Sequence, residues 1–132
     1  MSIRGPITAG LAYGLIGFAL GLVFGVVRTL FVAPAIGAFA AVAVETALLL
    51  AACLPLASWC LHNWQSARPA YALVAGVVGF AALMACEVML GLALGQTLQD
   101  ILAGMARPPG MLGLAGQIVF ALLPAGLAVS RK

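Results

Sequence analysis

The sequence predicts an all-α membrane protein: a four-transmembrane-helix bundle with short loops and both termini cytoplasmic. Three observations carry that reading. Hydrophobic residues make up 65% and charged residues 7% of the 132-residue chain, against about 25% charged in soluble domains, and the mean hydropathy is +1.22. The apolar residues fall into four long runs of the ~20 residues that a bilayer crossing needs. These runs use up the chain and leave one integral membrane domain, 1–132. The five arginines and one lysine stand singly at the ends of the runs, a topology signal and not the cluster that binds nucleic acid.

The first span is placed at 7–33. Gly5 to Val27 is uncharged, Arg28 follows inside the apolar run, and Pro34 is expected to close the helix. A second span, 36–61, is apolar except for Glu45 and is bent or loosened near its end by Pro55. Trp59, His62, Trp64 and Tyr71 then bracket a polar loop holding Arg68. Amphipathic rings of this kind settle at headgroup level, so the four read as interfacial anchors. His62 has the chemistry to ligate haem or a chlorin, but a lone histidine at such an interface is more often a solvated contact.

The third span covers 70–95. Gln96, Gln99 and Asp100 make its continuation polar, while Ile101, Leu102 and Met105 recur on one face, so 96–107 reads as a short interfacial segment. Tyr13, Gln96, Gln99 and Asp100 are read as solvated or capping groups. Arg107-Pro108-Pro109-Gly110 punctuates the chain before the fourth span, 111–129. Four crossings put both termini on one side, with Arg4, Arg68, Arg131 and Lys132; Arg28 and Arg107 share the other side with Asp100. The positive-inside rule makes the first side cytoplasmic. Cys53, Cys60 and Cys86 form an odd set without a CxxC pair and read as small apolar core residues.

Two of the three acids, Glu45 and Glu87, lie inside the spans. A carboxylate at a bilayer centre costs roughly 2.5 to 3.5 kcal/mol, so it faces the bundle, pairs with a base, or keeps its proton. Measured from the outer helix ends at ~1.5 Å per residue, Arg28 lies roughly 7 Å deep, Gln117 about 10 Å, and Glu45 and Glu87 about 13 Å. Each span thus contributes one member to a polar layer of Arg28, Glu45, Glu87 and Gln117. Arginine has the reach to pair with either acid, and the Gln117 amide can donate to the other. One acid is left without a counter-charge.

Gly10, Gly14, Gly17, Gly21 and Gly25 recur at three- and four-residue intervals and form one stripe along the first span that Arg28 continues. Gly76, Gly79, Gly91 and Gly95 lie broadly on the side of Glu87, and Gly113 stands one turn from Gln117. Small residues so spaced mark close helix contact in membranes.

The run GVVRTLFVAPAIGAFAAVAVE (Gly25 to Glu45), with ACEVMLG (Ala85 to Gly91) and IVFALLP (Ile118 to Pro124), resembles an uncharacterised family of small four-span bacterial inner-membrane proteins. The likeness covers most of the chain after the first helix begins. Its most specific part is an arginine and an Ala-Pro step ahead of a second-helix glutamate, with another glutamate in the third helix: here Arg28, Ala33, Pro34, Glu45 and Glu87. Members often carry a proline two residues after the first glutamate, where this chain has Ala47, so no kink at Glu45 is implied. The resemblance implies a bacterial inner membrane and brings no activity.

No HExxH, GxSxG, P-loop or paired Cys/His spacing occurs in the sequence, and neither a catalytic group, a metal nor a cofactor is expected. The expected partners are the lipid bilayer and other copies or other membrane subunits, not nucleic acid. The short loops and the lack of any site chemistry favour a non-enzymatic protein acting by association, as an oligomer or as an accessory subunit of a larger membrane complex. The alternative is a small proton-coupled transporter or channel using Glu45 and Glu87.

Overall fold

The computed structural model describes residues 4–63, 68–108 and 110–130, and every regular element among them is helical. Helix α1, Arg4–Val27, runs without a break into a π-helical turn, Arg28–Val32, and a short α2, Ala33–Ile36. Proline explains the wide turn. In a regular helix the Pro34 ring would strike the preceding turn. Here the Ala33 N–H reaches back five residues to the Arg28 carbonyl, and the expanded turn accommodates the ring. The expected stop at 33 is therefore corrected: the rod continues to Ile36 and ends at Gly37, whose φ of 91° is open to glycine.

Helix α3, Ala38–Asn63, turns back along α1 and passes through Pro55. Helix α4, Pro69–Ala93, starts with proline in its first turn, and the residue before it, Arg68, is extended. Its end is a glycine cap: Gly95 has φ 94° and the Gln96 N–H returns to the Gly91 carbonyl at 3.0 Å. Gly95 was expected on a packing face; it closes the helix instead, and a Cβ there would touch nothing within 4 Å. Helix α5, Leu98–Met105, is opened by a reciprocal capping box, with Thr97 N–H to Asp100 Oδ2 and Asp100 N–H to Thr97 Oγ1 both at 3.1 Å. It folds over the ends of α4 and α6, burying Ile101 against Gly91. Helix α6, Gly110–Ser130, completes the bundle.

Both α1 and α6 pack against α3 and α4, so the order around the bundle is α1, α4, α6, α3. Four segments are long and apolar enough to cross a membrane: Gly5–Ile36, Ala38–His62, Pro69–Ala93 and Gly110–Ser130. Their outward faces carry large apolar side chains such as Leu15, Val23, Leu48, Val77 and Leu122, all exposed. This is an all-α four-helix membrane protein.

The helices meet through backbone and not through a thick core. A Cβ on Gly10 would collide with the Ala75 carbonyl, one on Gly14 with the Gly79 carbonyl, and one on Gly76 with the Ala121 carbonyl. Such approach lets dispersion hold helices that lipid does not push together. Gly17 instead makes room for the Phe120 ring. Tyr13, expected to be solvated, is 1% exposed and stacks on Phe120 with ring centroids 4.1 Å apart and planes 5° from parallel. Cys53 and Cys60 are buried free thiols in the same core.

Candidate functional site

The polar layer forms by the extension of the first rod. From its helix end, Arg28 lies eight residues in from Ile36, Glu45 seven from Ala38, Glu87 six from Ala93 and Gln117 seven from Gly110. At ~1.5 Å per residue these are depths of about 9 to 12 Å, closer together than the depths expected from a helix ending at 33.

Two pairs occupy this level. The Arg28 guanidinium donates through Nη1 to Glu45 Oε2; their side chains are 32% and 13% exposed. Gly25 lies beside the pair, where a Cβ would meet Arg28 Nη2 at 3.8 Å and Glu45 Oε1 at 3.9 Å, ordinary contact and no clash. Across the bundle, Gln117 Nε2 donates to both carboxylate oxygens of Glu87 at 2.7 Å. Glu45 is close enough to Glu87 to act on it electrostatically. With Arg28 engaged by one acid and Glu87 facing only a neutral amide, the layer holds two carboxylates and one cation.

These four side chains line a cleft of about 600 Å³. Its walls are Phe18 of α1, Leu49, Leu50 and Cys53 of α3, Leu83 and Leu90 of α4, and Phe120 of α6. Gly21 and Gly113 also line it, and they are gaps more than contacts: a Cβ on Gly21 meets only Leu49 at 3.7 Å, and one on Gly113 meets nothing within 4 Å. The close-packing expectation for Gly21 and Gly25 is corrected accordingly. Thr46, which the sequence reading does not single out, adds a hydroxyl beside Glu45 and packs against Gly116; its place next to an intramembrane acid is the signal that points to it.

The remaining expected sites lie apart. Trp59 and His62 are exposed near the end of α3, and Tyr71 is half-buried with the Arg68 guanidinium 5.7 Å from its ring centroid. Trp64, Arg131 and Lys132 lie outside the described residues. Asp100, exposed at the α5 cap, has its carboxyl held below the usual range, first by the Thr97 N–H, then by the Thr97 side chain, and by Arg107. Among the described residues, no group of three or more His, Cys, Asp or Glu stands where it could hold a metal ion.

The chain matches no family model, no curated protein and no solved structure. Its chemistry rests on the cleft itself. A carboxylate without a counter-charge, set in an apolar opening, can exchange a proton for a cation, because either one neutralises it.

Proposed function

We propose that this protein is a small non-enzymatic transporter of a bacterial inner membrane, both termini cytoplasmic, which couples cation movement to protons through Glu87 and Glu45. One observation carries this reading: Glu87 opens into the 600 Å³ cleft while the layer's arginine is already bound to Glu45. Four helices enclose little pathway alone, so the working unit is a homo-oligomer. The resemblance to four-span inner-membrane proteins supports the compartment, and the arginine distribution supports the topology. The test is proton flux in liposomes carrying a pH dye. Glu87→Gln should abolish pH-driven flux while the protein still elutes as a folded species; undiminished flux overturns the reading.

A second reading has its own support. No buried side-chain nitrogen or oxygen among the described residues lacks a partner, as befits a layer that fixes helix register in an accessory subunit. Such a subunit should co-purify in mild detergent with one companion in fixed ratio and keep that ratio in Glu87→Gln. Purification without a companion removes it.

A further inference from the structure

We propose that the cleft binds a lipophilic organic monocation, with Glu87 as its counter-ion. Such a ligand is the substrate class of the transport reading, on which binding itself does not depend and release across the membrane does. Charge sets the sign of the ligand. Glu87, when ionised, meets the single neutral amide of Gln117, while Arg28 is spent on Glu45. One negative charge therefore remains in the layer, and an anion would add a second without an answering donor.

Coordination sets the class. A hard metal cation takes six or more oxygens, whereas the cleft offers one carboxylate without a counter-charge and a few neutral acceptors above apolar walls. A primary ammonium or a guanidinium would leave N–H donors unsatisfied against Leu49, Leu50 and Leu83, a cost of about the same size as a lost hydrogen bond for each. A tertiary or quaternary ammonium, or a phosphonium, has one such donor or none. Its charge is spread under apolar substituents that the walls can cover. The volume of about 600 Å³ lies inside the ~300 to 1,000 Å³ span of small-molecule sites.

Titration of the full-length protein in nanodiscs with tetraphenylphosphonium, and with tetraphenylborate as the anion of matched shape, tests this against empty discs. Saturable binding of the cation alone is expected, weakened at least about tenfold in Glu87→Gln and largely kept in Glu87→Asp. Gly113→Leu, which fills the cleft from a position where a Cβ has no neighbour within 4 Å, should weaken it while every polar side chain of the layer is kept. The proposal is overturned if folded wild-type protein shows no saturable cation binding, if the anion binds equally, if Glu87→Gln binds undiminished, or if a co-purified phospholipid holds the cleft and the cation does not displace it. Proton flux without cation binding sinks this inference and leaves the transport reading standing; binding without flux does the reverse.

Discussion

The Tyr13 hydroxyl donates a 2.7 Å hydrogen bond to the Phe120 carbonyl. In a regular helix that carbonyl would accept from the N–H four residues on, but that residue is Pro124 and has none to give. A backbone acceptor stripped of its donor inside a membrane helix needs a replacement, and Tyr13 reaches from α1 to supply it. Tyr13→Phe keeps the ring stack and removes only the donor. It is expected to lower stability by about 1 to 2 kcal/mol, seen as an earlier thermal midpoint in mild detergent. Tyr13→Phe/Pro124→Ala should regain much of the loss, because alanine restores the N–H. A double variant no more stable than Tyr13→Phe would show that the bond is incidental.

The glycine positions divide by what a methyl group would meet. Gly14→Ala and Gly76→Ala drive a Cβ into a facing backbone carbonyl, so the α1/α4 or α4/α6 seam must part. Each should reduce stability by about 1 to 3 kcal/mol, the scale of overpacking. Gly113→Ala meets open space and gains up to about 1 kcal/mol of helix propensity. Thermal aggregation monitored by size-exclusion chromatography ranks the three, and a destabilised Gly113→Ala would contradict the open cleft.

Residue spacing makes the four spans and the membership of the polar layer legible, because apolar run length and distance from a run's end translate directly into helix and depth. Spacing alone places Arg28 too shallow for one reason: Pro34 looks like a helix stop, whereas the π turn lets the rod run on to Ile36. The glycine stripe has the right period, but period cannot tell contact from gap. Gly10 and Gly14 touch backbone while Gly21 and Gly25 border the cleft. A cavity belongs to the relative placement of four helices, and no single run encodes it. Tyr13 does leave a trace, since Pro124 four residues after Phe120 announces an orphaned carbonyl that a mid-span tyrosine can satisfy.

The α5 cap responds to pH in a fixed direction. Thr97 holds the Asp100 carboxyl below its unfolded value, so its contribution is present above the unfolded pKa and fades as pH falls through the folded one. Acidification below the ordinary carboxylate range should fray α5 first, read as rising amide exchange at Ile101 relative to α4. Asp100→Asn should flatten that dependence. An α5 whose exchange is equally pH-dependent in the variant would assign the effect to another group.

The Arg28 and Glu45 side chains are worth less as a pair than their separation would cost. Removing one member strands the other's charge at about 10 Å depth, and for buried pairs this costs about 3 to 5 kcal/mol. Because Arg28 is 32% exposed, the lower end applies, about 3 kcal/mol for Arg28→Gln. Glu45→Gln should cost less, since its freed guanidinium has Glu87 within the same cleft as a new partner. The double variant Arg28→Gln/Glu45→Gln replaces the charges with two amides able to hydrogen-bond each other, and it should recover most of the loss. A double-mutant cycle on thermal unfolding in detergent measures the coupling. Additive losses would mean the two charges are solvated independently, and would leave Arg28 available to neutralise Glu87, removing the charge imbalance on which cation binding depends.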